Sequence, residues 1–219
     1  MTLEDLILFI DGEAIVIDKP AGLPVDPPRN GGPSVEARAF ELSLGFKRPP
    51  TAMHRLDRDT SGCLLFARNP KARARFQQAF EAGTVEKTYI AVVVGETPGE
   101  AGTIDLPVAK VSSAAEGWRM VVDEGGKRAV THWRRIAVEG GQSLVEFKPE
   151  TGRTHQIRVH AARGLGAAIV GDPVYGSGDR PMLLHAWKLR VPRDPKPAID
   201  VMAKIPDSFG LWLDMIDDH

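Results

Sequence analysis

The longest uninterrupted apolar run in the chain, Tyr89–Val94, is six residues long. That length suits a buried strand and falls far short of the roughly twenty residues a membrane-crossing helix needs. The other apolar runs are short and bounded by turn formers, so the sequence predicts many short strands. Leu6–Ile10 and Ala14–Asp18 flank Asp11-Gly12, a hairpin signal. Cys63–Ala67, Val85–Val94, Trp118–Val122, Ala129–Val138, Leu144–Lys148, Met182–Val191 and Ile199–Ala203 are further strand candidates, with turns at Pro98-Gly99 and Gly125-Gly126. Helices are scattered between them. The best marked has Asn69 as N-cap, Pro70 in its first turn and Gly83 just past its end. Its apolar stripe is Ala72, Phe76, Ala79 and Phe80, with Lys71, Arg73 and Arg75 outside. Weaker helix signals follow Ser34 (Val35–Leu44), run from a Thr151 or Thr154 cap to Gly164, and cover Ser208–Ile216. Lys19–Pro33, with five prolines, is a loop. The pattern predicts an α+β fold around a mixed, mostly antiparallel central sheet with flanking helices, as a single domain over residues 1–219.

Composition narrows the functional classes. Of 219 residues, 42% are apolar, too many for a disordered chain. One cysteine excludes an internal disulfide and a multi-cysteine zinc site. The N-terminus begins acidic and lacks the basic and small-residue features of a secretory signal, so a cytoplasmic setting is expected. A formal net charge of −1 argues against a nucleic-acid partner. That total averages over segregated charge. Residues 1–50 carry 5 basic and 8 acidic groups, whereas residues 54–80 carry 6 basic and 2 acidic. Residues 151–163 hold Arg153, Arg158, Arg163, His155 and His160 with no acid, and from Asp200 onward five Asp face one Lys.

Three segments carry groups capable of chemistry, and each has two readings. In His54-Arg55-Leu56-Asp57-Arg58-Asp59-Thr60-Ser61-Gly62, an extended start puts Arg55, Asp57 and Asp59 on one face. Cations beside Asp57 suit a carboxylate nucleophile or electrostatic stabiliser; alternatively Asp57 caps a turn and the arginines are solvated. In Thr151–His160, a cationic helix start offers N–H groups and Arg to a phosphate; alternatively the helix face is merely solvated. The i,i+5 spacing of His155 and His160 does not suit zinc. Tyr89, one of two tyrosines, either faces a cleft, where it stacks on a base, or faces the core.

Taken together, these segments resemble the RluA family of pseudouridine synthases from about Ile7 to Lys204. Ile17–Val25 resembles the family's opening motif, and His54–Asp57 with Thr60-Ser61-Gly62 matches its HRLDxxTSG signature. Lys87-Thr88-Tyr89, Gly152–His160, Gly171-Asp172-Pro173-x-Tyr175-Gly176 and Leu184-His185-Ala186 follow in family order. The resemblance implies that Asp57 attacks the target uridine, Tyr89 packs against its base, and Arg158 pairs with Asp57 and holds it ionised. It implies that Arg55 occupies the space left by the flipped nucleotide, and that Leu183 or Leu184 closes the base pocket. Arg58, Lys71, Arg73, Arg153, His155 and Gln156 are the further RNA contacts expected of the two basic segments, lining one cleft over the sheet. The isomerisation needs no redox change or energy input, so neither cofactor nor metal is expected. The partner implied is a stem-loop in tRNA, rRNA or both, bound by a monomer. Because the family motifs begin near residue 7, no N-terminal S4 domain is expected. A catalytically silent RNA-binding module of the same fold is the alternative.

Overall fold

The computed structural model describes residues 1–28, 31–113 and 117–217. Residues 29 and 30, part of the expected 19–33 loop, lie outside the described residues. The strands are β1 (Ile7–Ile10), β2 (Ala14–Lys19), β3 (Thr51–Ala52), β4 (Ser61–Ala67), β5 (Glu86–Val94), β6 (Ala101–Asp105), β7 (Val108–Ser113), β8 (Gly117–Val122), β9 (Val130–Glu139), β10 (Gln142–Pro149), β11 (Leu184–Arg193) and β12 (Lys196–Met202). The helices are α1 (Pro70–Glu81), α2 (Gln156–Val159) and α3 (Trp212–Asp217). This is the sheet-dominated α+β architecture expected, and every strand pair with a described register is antiparallel. No helix among the described residues is long and apolar enough to cross a membrane.

The chain divides into two compact units: Met1–Lys87 with Ala186–Lys204, and Thr88–His185 with Ile205–His219. In the first, β1 and β2 pair around the Asp11 turn, whose carboxylate accepts from the Glu13 and Ala14 N–H groups at 2.8 Å. Strand β2 pairs β4 in a register that sets Lys19 opposite Gly62. Helix α1 forms as its punctuation predicts: Asn69 Oδ1 accepts from Ala72 N at 2.9 Å, and Gly83 takes φ +68°. Its Ala72 and Phe76 are buried among Ala14, Val16, Leu65, Leu189 and Val191, with Ala79 and Phe80 against the same cluster.

The second unit pairs β5 with β10, β10 with β9, and β9 with β6. Gly140 and Gly141, at φ +56° and +72°, close the β9–β10 hairpin, a backbone that favours glycine. Strands β7 and β8 form a separate two-stranded ribbon. Phe147, Trp133, Ile157, Leu165, Ile169 and Leu184 belong to this unit's core.

Three helix expectations need correction. Val35–Leu44 yields only one tight turn, Ala39–Leu42, although Ser34 Oγ does accept from Ala37 N at 3.1 Å. Val35 and Glu36 instead donate backbone hydrogen bonds to Pro24 and Val25, and Leu44 at φ +43° ends the segment. Neither Thr151 nor Thr154 caps α2. Its N-cap is His155, left-handed at φ +52° with no side-chain cap, while Thr151 Oγ1 donates to Gln156 Oε1 at 2.8 Å. The terminal helix is split by Gly210, φ +56°, into a turn at Asp207–Phe209 and α3.

Candidate active site

In the first unit, the Asp57 segment forms a turn between β3 and β4, closed by Thr60 N donating to Asp57 O at 3.1 Å. Asp57 is half-buried, while Thr60 and Ser61 are buried behind it. Gly62 follows at φ +108°, where a Cβ would overlap the Ala186 backbone, so only glycine lets the turn enter β4.

Beneath this turn lies a group that sequence reasoning missed. Lys19 is fully buried, and its ammonium donates to Pro20 O and Leu23 O at 2.8 Å and to Arg58 O at 3.1 Å. Three carbonyls therefore engage its three protons and tie the Pro20–Leu23 loop to the Asp57 turn. Burial pulls the Lys19 pKa down to about 8, against the partial opposition of the nearby Asp59 and Asp57 carboxylates. At neutral pH Lys19 is still mostly charged, so the turn carries a fixed positive centre within electrostatic reach of Asp57.

Around the turn, Arg55 is exposed and pairs with Asp26, and Arg58 grips Asp59 through bonds of 2.9 and 3.1 Å. Lys71 and Arg73 are exposed on α1. His54 is a structural acceptor: Leu65 N donates to its Nε2 at 3.1 Å, and it packs on Phe80 with centroids 5.3 Å apart. Burial, then the Lys87 charge, push its ring down to about 3, so it stays neutral.

The second unit holds Tyr89, Arg158 and the remaining expected residues. Tyr89, on β5 opposite Phe147, is half-buried against the core. Arg158 is 4% exposed, and its Nε and Nη2 donate to Asp172 at 2.8 and 2.7 Å. Asp172 is fully buried and also accepts from Val174 N at 2.8 Å and Tyr175 N at 3.1 Å. Burial alone would raise its pKa, but Arg158 and the two backbone donors outweigh it and hold the carboxyl below the usual carboxylate range. Asp172 is a second group that sequence reasoning passed over. Its motif, Gly171–Gly176, offers the signal of an Asp opening a turn, but its arginine partner lies 14 residues away.

Gln156, expected on the RNA, is instead 4% exposed and engaged internally. Its amide donates to Val130 O and Thr131 Oγ1, and its oxygen accepts from Arg153 N and Thr151 Oγ1. All four hydrogen-bonding positions of the side chain are filled, so it sets the shape of the Thr151–His155 turn. Arg153 is exposed and bonds Arg128 O at 3.0 Å; His155 is half-buried against Tyr175. Leu184 sits in the core cluster, and Leu183 is buried with its backbone bonded to Val92 and Val170. Among the described residues, no group of three or more His, Cys, Asp or Glu is arranged to hold a metal ion.

The sheet-dominated α+β frame is that of a known class, and comparison identifies it. The family of RNA pseudouridylate synthases matches residues 13–163. The chain belongs to the RNA pseudouridine synthase family, in its RluA group, whose members are isomerases. It is 55% identical over 207 residues to an uncharacterized RNA pseudouridine synthase of Zymomonas mobilis, covering 93% of this chain and 94% of that one. It is 38% identical over 177 residues to the ribosomal large subunit pseudouridine synthase D of the same organism, covering 78% of this chain and 55% of that one. It thus spans nearly all of the first relative but little more than half of the second. Among solved structures, human RNA pseudouridylate synthase domain containing 4 superposes with a TM-score of 0.80 at 26% identity, covering 98% of this chain and 94% of that one.

Proposed function

We propose that this protein converts uridine to pseudouridine in a stem-loop of tRNA or rRNA, with residues 1–219 acting as one catalytic domain in a cytoplasmic monomer. Asp57 is the nucleophile, Tyr89 packs against the target base, and Arg158 keeps Asp57 ionised and aimed. The uridine leaves its stack, which is cheapest in an RNA loop. Asp57 then bonds to the sugar C1′ or the base C6, the N1 glycosidic bond breaks, and the base turns. A bond from C5 to C1′ forms, the C5 proton is lost, N1 is protonated, and Asp57 is released, so no atom is gained or lost. Arg55 fills the space the base leaves, Leu183 and Leu184 close the pocket, and Arg58, Lys71, Arg73, Arg153 and His155 contact the RNA.

The observation that carries this reading is the half-buried Asp57 on a turn anchored by the buried Lys19 ammonium. A solvated turn-capping aspartate has no need of a buried cation beneath it. Mapping pseudouridine in total RNA from cells with and without the gene tests the proposal. Specific sites lost with the gene, and restored by the purified protein, are expected. An unchanged map would overturn it and leave the silent binding module.

A further inference from the structure

We propose that the β7–β8 ribbon and the Gly152–Thr154 turn form a second RNA-contact site in this protein, taking one backbone phosphate and one unpaired base away from the target uridine. The inference rests on the RNA reading above and adds a ligand-binding surface to it.

The phosphate half is a cavity of about 480 Å³ whose lining includes Val108, Lys110, Met120, Gly126, Lys127 and Arg153. Its three charged groups are all cations. None of the three forms an ion pair among the described residues, and Arg153 bonds only a carbonyl, Arg128 O. The wall is backbone. Lys127 and Val108 exchange N–H···O bonds of 2.9 and 3.0 Å, and a Cβ on Gly126 would lie 2.6 Å from the Val108 carbonyl carbon. The nearby Asp123 carboxylate already accepts from Gly125 N at 2.8 Å. Three cations without a carboxylate partner among the described residues, around a concave, backbone-walled space, attract the negative charge of a phosphodiester and leave room for its sugar.

The base half is Trp118. The ribbon's register pairs Lys110 with Met120 and Ser112 with Trp118, so these side chains share one face, the face that lines the cavity. Trp118 is 46% exposed. One side of its ring rests on His155, with centroids 4.9 Å apart, and Lys110 Nζ sits 4.9 Å from the ring centroid. His155 is held there by its left-handed backbone and by Tyr175, whose hydroxyl lies 3.0 Å from His155 Nδ1 and accepts from Met120 N at 3.0 Å. A half-exposed indole supported on one side beside lysines that have no carboxylate partner among the described residues is how single-stranded nucleic acid is held: the ring stacks a base, and the cations take its phosphate. The same Tyr175 ring lies 5.3 Å from the Arg158 guanidinium, so the platform is built onto the residue assigned to hold Asp57.

The test uses the full chain, a fluorescein-labelled mixed-sequence single-stranded RNA of about 12 nucleotides for affinity, and total RNA from a strain lacking the gene for turnover. Trp118→Ala is expected to raise Kd for the labelled RNA by about tenfold or more, and Trp118→Phe by less than about threefold. Lys110→Ala with Lys127→Ala is expected to flatten the plot of log K against log salt by about 0.7 for each phosphate that is no longer neutralised. All of these residues are exposed, so the variants fold. The defect should appear in KM with kcat retained. Unchanged Kd, salt slope and KM in variants of a protein that still makes pseudouridine would overturn the second site alone. A wild-type protein that makes no pseudouridine in any RNA would overturn the enzyme reading beneath it.

Discussion

Lys19 in the first unit and Arg158 in the second are both buried cations, and the two are held in opposite ways. Lys19 donates to three backbone carbonyls, whereas Arg158 gives two N–H groups to the buried Asp172 carboxylate. A lysine held by neutral carbonyls keeps a net charge whose field reaches outward, and it titrates: its pKa falls to about 8. An arginine locked to a carboxylate is permanently charged and does not titrate, so its charge and its position are both fixed. The first arrangement supplies a potential that titrates, and the second a permanent charge at a fixed place.

The largest expected effect comes from removing the permanent charge. Arg158→Ala leaves Asp172 buried without its partner, at a cost of about 3–5 kcal/mol of stability at neutral pH. Asp172 has a depressed folded pKa, so its contribution is present above the ordinary carboxylate value and is lost as the pH falls through the lowered one. The deficit of the variant should therefore shrink in acid. Denaturation with urea at neutral pH and again in acid, below the ordinary carboxylate range, measures this. An equal deficit under both conditions would show that Asp172 does not provide it.

Lys19→Met is expected to cost less, about 2–3 kcal/mol, through the buried carbonyls left without a donor. Its turnover should fall further than the decrease in folded protein accounts for, read from initial rates at a temperature where the variant is fully folded. Turnover tracking the folded fraction alone would make Lys19 a structural tie only.

The smallest effect is a titration. Between about pH 8 and the ordinary lysine value, the unfolded chain binds a proton that folded Lys19 has released. Folded-state stability from this group therefore falls below that window and is regained as the pH rises through it, while the same rise removes the charge beneath Asp57. Pseudouridine formation should decline above about pH 8 without a matching fall in the melting temperature. A rate that stays flat until the protein unfolds would remove Lys19 from the electrostatics of the site.

These two centres also mark the limit of what the sequence discloses. Helix α1 and the β1–β2 hairpin are legible because Asn69, Pro70, Gly83 and the Asp11 turn act on their own neighbours. The Asp57, Tyr89 and Arg158 segments are legible as patterns. Lys19 is not, because a lysine in an apolar strand is ordinarily exposed and its acceptors come from two separate loops. Asp172 and the inward turn of Gln156 depend on partners 14 and 26 residues away. Strands β6 and β7 lack a long apolar run and are set by their pairing with β9 and β8.

The most direct test of the whole account is Asp57→Asn, a change that keeps the size of the side chain and removes its charge and nucleophilicity. Measured on RNA from cells lacking the gene, pseudouridine formation should drop by at least about a thousandfold, the scale of removing a nucleophile, while the Kd for the same RNA stays within a few-fold. Wild-type turnover by the Asp57→Asn variant would contradict the assignment of Asp57 and, with it, the proposed function.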